Sequence, residues 1–346
     1  MKLNYCVISL IIILLITTCK KDFNTHELEI KTDNLVIYTT DYFINSGLVE
    51  TAIAIFEDRF ECNVLLHSFK ESYDLLQHLI FEKDNPQADI ILGILSPHLD
   101  AALRSNAFIS YEPENIRNIN NRHLITDRRN RLIPFSYNYY AFVYDTEIIN
   151  APPKTFGALQ SSEWDDKIIM FDPEVTAIGL SALEWSLAIF GERGFEQFWG
   201  SLKNSILSIS TDWASSYIAF HSGHAPMILG YVTNPVYHSI VEGTNHFSAF
   251  IPLEGTLKEI EYAGILTGSE NIFLARRFMD FIISAEFQNR IPEMLWKFPV
   301  IQSSDTPQIF SDIVIPDNRL TQSVHDRKLI QNRDWIEIWK SIMAKD

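Results

Sequence analysis

Cysteine is scarce in this chain, 3 in 346 residues, and so is positive charge, with 28 Lys and Arg against 44 Asp and Glu. Of Cys6, Cys19 and Cys62, only Cys62 stands beyond the opening segment. If that segment is processed as argued below, one thiol remains and no intrachain disulfide can form. The formal net charge of −16 repels nucleic acid and mildly favours cationic ligands, although it locates no site. A Gly-rich phosphate loop, HExxH and GxSxG are also missing, which removes the usual sequence signals of nucleotide, zinc-peptidase and hydrolase chemistry. His221 and His224 have a metal-compatible i, i+3 spacing, but no acid or cysteine accompanies them, so a solvated helix end is expected and no metal.

Long apolar runs are lacking too, except at the start. Lys2 precedes an apolar stretch from Val7 to Ile16, followed by Thr17, Thr18 and Cys19. These are the charged, apolar and small-residue zones of an export signal. The stretch is too short for a spanning helix, which needs about 20 apolar residues. LITTC resembles a relaxed bacterial lipobox, with cleavage before Cys19 and acylation of its thiol; a strict lipobox would carry Ala or Gly where Thr18 stands. An ordinary cleaved signal is the alternative. Residues 1–18 are thus expected to be a lipoprotein signal and 19–34 a polar tether. Residues 1–18 carry one charge, Lys2, so their loss takes −16 to −17.

About 325 residues remain, and single cores stop growing near roughly 250–300, so two lobes are expected. Leu35–Thr39, Asn63–Ser68 and Asp89–Leu92 read as strands, separated by helical spacing over Leu48–Phe60 and Tyr73–Phe81. This is a βαβαβ opening with a parallel sheet, whose ligands gather at the carboxyl ends of the strands. Leu132–Asp145 is strongly β-prone and reads as a strand crossing into the second lobe. Ile168–Phe171 and Ala225–Tyr231 read as further strands, Gly179–Phe190 as an apolar helix, and Thr155 as the cap of a helix start.

Aromatic residues recur where turns are expected. Trp213 and Tyr217 lie in TDWASSY, Tyr231 and Tyr237 in GYVTNPVYH, and Trp296 in MLWKFP. Core aromatics usually sit in periodic apolar runs, whereas these are interleaved with Ser, Thr, Asn, Asp and Pro. Such rings hold flat or cationic ligands by stacking and cation–π attraction, worth about 0.5–2 kcal/mol per contact. Each has a plainer reading: burial at a lobe interface for Trp213 and Trp296, strand-end packing for Tyr231 and Tyr237, core for Tyr217. Asp41 after the first strand can equally be a helix cap, and Thr176 a cap of the following helix.

VIYTTDYF, QADIILGI, PFSYNYYAFVYD, APPKTFGAL, DPEVTAIGL, TDWASSY, GYVTNPVYH, AEFQNRIPE and LWKFPV follow one another in the order and spacing of the periplasmic thiamine-binding proteins. The chain resembles these solute receptors of thiamine ABC importers from about Leu35 to Val300. The resemblance implies an α/β, two-lobed type II periplasmic-binding-protein fold, each lobe a mixed sheet flanked by helices and joined by crossing strands. Residues 35–137 plus about 248–346 would form the first lobe and 138–247 the second. Trp213, Tyr231, Tyr237 and Trp296 would be the pocket aromatics, Tyr217 a neighbour of Trp213, Thr176 a hydroxyl near the hydroxyethyl or phosphate end, and Asp41 the acid of the first-strand motif. Three positions depart from the family: a Trp carried just after the first motif has no equivalent in INSGL, Thr40 replaces an aromatic residue, and Leu95 replaces the acid expected to bind the aminopyrimidine. A charge-assisted hydrogen bond worth about 1.5–3 kcal/mol is lost there, to be replaced by Asp41, Ser96 or His98 or reflected in a related ligand.

The expected protein is therefore a receptor without catalytic residues or cofactor, lipid-anchored through Cys19 in the periplasm or on the outer face of the cytoplasmic membrane. It would be a monomer that hands thiamine, a thiamine phosphate or a precursor to an ABC permease and its ATPase, with no nucleic-acid partner. The alternatives are a receptor for another small cation or for ferric iron, prompted by Tyr139 and Tyr140, and an exported thiamine-degrading enzyme using Cys62.

Overall fold

The structure is a computed structural model that describes residues 34–119, 121–301, 306–311, 313, 315, 320 and 334–345. Residues 1–33, with Cys19, the expected signal and almost all of the tether, lie outside the described residues. No described helix is long and apolar enough to cross a membrane.

The β-branched run NLVIYTT forms β1 (Asn34–Thr40) at the centre of a parallel trio, between β2 (Asn63–Phe69) and β3 (Ile90–Leu95). Ile37 is in register with Leu66 on one side and Ile90 on the other. The helix Ser72–Glu82 joins β2 to β3. Its start is set by a capping box in which Glu71 accepts from the Asp74 backbone and Asp74 from that of Glu71. A second parallel trio has β5 (Ile168–Phe171) between β6 (Ile206–Ser210) and β7 (Met227–Tyr231). The longest strand, β4 (Ile133–Asp145), links the two: Ile133–Tyr139 pairs antiparallel with β9 (Lys258–Ile265), and Tyr140–Tyr144 with β7. The order is β2-β1-β3-β9-β4-β7-β5-β6, with β8 (Phe247–Phe250) and β10 (Phe298–Pro299) also on β4. The crossing strand lies where the sequence places it. Strands β6, β8 and β9 are not evident in the apolar pattern.

Two hydrophobic cores result. The first is built on Ile37, Phe56, Ile91, Phe278 and Phe281, the second on Phe142, Phe156, Trp185, Trp199 and Met227. Strand β4 feeds both, with Phe135 in the first and Tyr140 in the second. The last helix, Trp335–Met343, departs from the expected first-lobe assignment of everything after about 248. Trp335 and Trp339 join the second core, where Phe195 and Trp199 present aromatic edges at 4.8 and 6.0 Å.

Local readings differ in instructive ways. The expected helix Gly179–Phe190 is part of Ala177–Leu202, broken at Gly191 by a left-handed backbone (φ 63°). Leu48–Phe60 begins as a π turn, Val49–Ile53, before the α-helix Ala54–Phe60. Thr155 does cap, accepting from Ala158 N at 3.0 Å, but only a 3-10 turn, Gly157–Gln160, follows.

Candidate functional site

The strands β1, β3, β5, β6 and β7 end at a common cleft of about 510 Å³, lined by residues that end or follow strands of both parallel trios. Thr40 and Asp41 follow β1, Leu95 ends β3, Thr176 follows β5, Asp212 and Trp213 follow β6, and Tyr231 ends β7. Carboxyl ends of strands are where open α/β sheets collect ligands, because helix N-termini and loops converge there. Gly93, also on the wall, has φ 120° and leaves a Cβ only 3.3 Å from the Thr40 methyl, so a side chain would strain the cleft.

All five aromatics that the sequence sets among turn-forming residues, Trp213, Tyr217, Tyr231, Tyr237 and Trp296, line this one cleft, as do Asp41 and Thr176. Trp213 and Tyr217 nevertheless lie in one helix, Tyr231 ends β7 and Tyr237 ends a short helix, rather than lying in loops. Trp213 opens the helix Trp213–His221, capped by Asp212, and lies near-parallel to Tyr217 at 5.0 Å and to Phe171 at 5.7 Å. Tyr231 is tilted against Trp213 at 5.3 Å, and Tyr237 meets Trp296 edge-on at 5.2 Å. Trp296 holds a left-handed backbone (φ 53°), which a bulky side chain rarely adopts. Such strain is found where surrounding structure over-determines a functional position. Thr176 caps the helix Ala177–Leu202: its hydroxyl accepts from Gly179 N at 3.1 Å and donates to Asp172 O at 2.6 Å. Asp41 is exposed in the first turn of the short helix Asp41–Ile44, whose cap is Thr40. Ser96 and His98 are not on the cleft wall. Ser96 bridges to the β9 backbone, and His98 is a buried core imidazole held by Ser72, its pKa pushed down to about 4 by burial.

Beneath the aromatics lies a polar floor. Glu259 and Glu261, two apart on β9, point to one face of the strand, and Lys297 lies between them, 2.9 Å from Glu261 Oε2 and 3.4 Å from Glu259 Oε1. Tyr140 and Tyr231 donate to Glu259 Oε2 at 2.8 and 2.7 Å, and Ser136 donates to Glu261 Oε2 at 2.7 Å. Burial opposes the charge on Lys297, but the two carboxylates together outweigh it and raise its pKa. Burial and Glu259 push the Tyr231 and Tyr140 phenols well up, so both remain protonated donors.

Contacts close the cleft across its two sides. Glu71 Oε1 accepts from Trp213 N at 3.3 Å, and Lys70 lies 3.5 Å from Asp212. Burial pushes the Glu71 carboxyl up to about 7 against the bond from Trp213. Asn138 donates to Thr233 Oγ1 at 2.7 Å and to Trp296 O at 3.3 Å. In all, five carboxylates (Asp41, Glu71, Asp212, Glu259, Glu261) face two lysines (Lys70, Lys297). Sequence reasoning missed Glu71, Glu259, Glu261 and Lys297. KEIEYAGI alternates acids with apolar residues, the pattern of a half-solvated strand, so its local sequence gives no sign that these acids are buried between β3 and β4.

Two cores, a strand feeding both and a cleft at the carboxyl ends of two parallel trios define a two-lobed binding protein of type II topology. Residues 85–318 match the family described as bacterial extracellular solute-binding protein. The chain is 31% identical over 316 residues to the thiamine-binding periplasmic protein of Brucella melitensis, covering 90% of this chain and 93% of that one. Against the thiamine-binding periplasmic protein of Escherichia coli the identity is 28%, covering 90% and 94%. A solved periplasmic thiamin binding protein superposes with a TM-score of 0.79 at 27% identity, over 90% of this chain and 96% of that one. The chain thus belongs to the bacterial extracellular solute-binding proteins, and within them to the thiamine-binding periplasmic group.

Proposed function

We propose that this protein is the solute receptor of an ABC importer and captures thiamine, or a closely related thiazolium compound, on the extracytoplasmic side of the membrane. The observation that carries the reading is the cleft itself: aromatic walls set over an acid-rich floor. A thiazolium is a flat, permanent cation. Stacking on Trp213, Tyr217 and Tyr231 offers about 0.5–2 kcal/mol per ring, and the carboxylate excess supplies the field a cation needs. Glu71 adjoins Leu95, since Ser72 Oγ accepts from Leu95 N at 3.1 Å. It therefore brings a carboxyl to the place where the family's acid is missing, and serves the aminopyrimidine better than Ser96 or His98, which lie off the cleft.

The hydroxyethyl end points to Thr176 and the start of the helix Ala177–Leu202, a position whose backbone suits an oxygen or a phosphate. Both lysines are already spent, Lys297 on two carboxylates and Lys70 on Asp212, so thiamine and its monophosphate are favoured over the diphosphate. Capture proceeds by closure of two lobes, the aromatics and the Glu71 to Trp213 contact being made only in the closed form. The lobes are residues 35–137 with the segment from about 248, less the last helix, and 138–247 with that helix. The chain acts as a monomer, tethered through an acylated Cys19, and hands its ligand to a permease with its ATPase.

Competing readings fit less well. Cys62 is buried in the first core, away from the cleft, which disfavours a thiamine-degrading nucleophile. Tyr139 and Tyr140 belong to different apolar clusters, and Tyr140 donates to Glu259, which disfavours paired tyrosine ligation of iron. Isothermal titration with thiamine, its mono- and diphosphate, hydroxyethylthiazole and the aminopyrimidine tests the proposal. Tight binding of thiamine, weaker binding of the diphosphate and loss in Trp213→Ala support it. Saturation by none of the five ligands rejects it.

A further inference from the structure

On the other side of Tyr217 from Trp213 in this chain of contacts, three ligating side chains converge that the cleft reading does not use. His221 ends the helix Trp213–His221, while His238 and Glu242 begin and end a π-helical turn, His238–Glu242. Such turns occur disproportionately at functional sites. Glu242 Oε2 lies 3.0 Å from His221 Nε2 and 2.8 Å from His238 Nδ1. One donor atom from each residue falls within 4.8 Å of the others. The sequence pairs His221 with His224 and finds no acid; the fold replaces His224 with His238 and supplies the acid from the same turn.

The surroundings are those of a held ligand set. His238 is 1% exposed, and its second nitrogen, Nε2, is 2.9 Å from Tyr217 OH, which fixes the ring with Nδ1 facing Glu242. A hydrogen-bonded outer nitrogen is what orients a metal-binding imidazole. His221 and Glu242 keep 46% and 30% of their side chains exposed, leaving an entry path and room for water. Zinc bound tetrahedrally at about 2.0–2.2 Å from N and O places its ligand atoms about 3.3 Å apart. Withdrawal of the carboxylate by a few tenths of an ångström opens the present 2.8 and 3.0 Å contacts to that spacing. Two imidazoles and one carboxylate suit zinc and neighbouring divalent transition ions, and not the hard ions calcium and magnesium.

We propose that His221, His238 and Glu242 form a binding site for a divalent transition ion of the zinc type, with solvent completing the coordination. The ion takes the place of the protons now shared with Glu242, and His238 then donates from Nε2 to Tyr217 OH. The site stands independently of what the cleft binds, and its test needs no cleft ligand.

The experiment is titration of the chelator-treated full chain, any affinity tag removed, with Zn2+ by calorimetry and with Co2+ by visible absorption. One equivalent of Zn2+ and the d–d bands of a four- or five-coordinate Co2+ are expected. His221→Ala, at a side chain 46% exposed, and Glu242→Gln should each weaken binding about tenfold or more. His224→Ala, exposed and outside the trio, should leave binding unchanged. Absence of Zn2+ uptake, a six-coordinate aquo-like Co2+ spectrum, or equal losses in His221→Ala and His224→Ala would overturn the site and leave the trio a hydrogen-bonded cluster.

Discussion

Replacing Lys297 by Met tests whether the polar floor is held by charge. Lys297 is 7% exposed and Glu259 and Glu261 are each 2% exposed. Met matches the length of the stem but removes the ammonium, leaving two buried carboxylates with no counter-charge on the floor. Breaking a buried pair in this way costs about 3–5 kcal/mol, because the stranded charge retains its desolvation penalty. At about 2–3 °C per kcal/mol for a chain of this size, the midpoint should fall by roughly 6–15 °C. The sign with pH follows. The pKa of Lys297 is raised in the folded state, so its contribution is whole below the ordinary lysine value and is lost only as pH climbs through the raised one. Across pH 5–9 the wild type therefore keeps it. In Lys297→Met, adding Glu261→Gln should recover most of the loss, because it removes one of the two stranded charges. Calorimetric or circular-dichroism melts check this. A Lys297→Met midpoint within about 2 °C of wild type, or a double variant no more stable than the single one, refutes the argument.

Other expectations follow from single residues. Trp213→Ala should weaken thiamine binding by about 1–2 kcal/mol or more in calorimetry, since it removes one ring and loosens Tyr217 and Tyr231. Trp296→Gly should relieve the left-handed strain, worth on the order of 1 kcal/mol, and hold or raise chemical stability while reducing affinity; equal losses of both would show that the ring is only structural. Glu71 has a raised pKa of about 7 against the ordinary 4.5, so the closed, folded form binds its proton more tightly. Stability should therefore decline as pH rises from about 4.5 through 7, by on the order of 2–3 kcal/mol. Glu71→Gln should flatten that slope in urea titrations at pH 5 and 8. A cation bound beside Glu71 should also release protons near pH 6, visible as a buffer-dependent binding enthalpy; equal enthalpies in phosphate and Tris would contradict it.

The Glu259, Lys297 and Glu261 floor also bears on how the cleft recognises charge. Its carboxylates are oriented by Ser136, Tyr140 and Tyr231 before any ligand arrives, so a cation meets acceptors that need little rearrangement. Tyr231 serves twice, as a wall ring beside Trp213 and as a donor to Glu259. Tyr231→Phe should therefore keep the stacking surface and lose the orientation of the carboxylate.

The sequence by itself determined the βαβαβ opening, the crossing strand β4 and the identity of the cleft aromatics. These are local signals: β-branched runs bounded by turns, helical spacing of apolar residues, and rings set among turn-forming neighbours outside the periodic apolar runs. Only the tertiary structure decided which charges meet. Glu71, Glu259 and Lys297 come from segments far apart in the chain, and nothing in their immediate neighbours distinguishes a buried carboxylate from a solvated one. His221 shows the same limit, since its near neighbour in sequence, His224, is not its partner in space. The last helix was equally illegible, because the aromatic surface that takes Trp335 and Trp339 is made by Phe195 and Trp199, well over a hundred residues earlier. Periodicity reports which face of an element is apolar. Which faces come together is set by packing and by the desolvation of charges, and both depend on the whole chain.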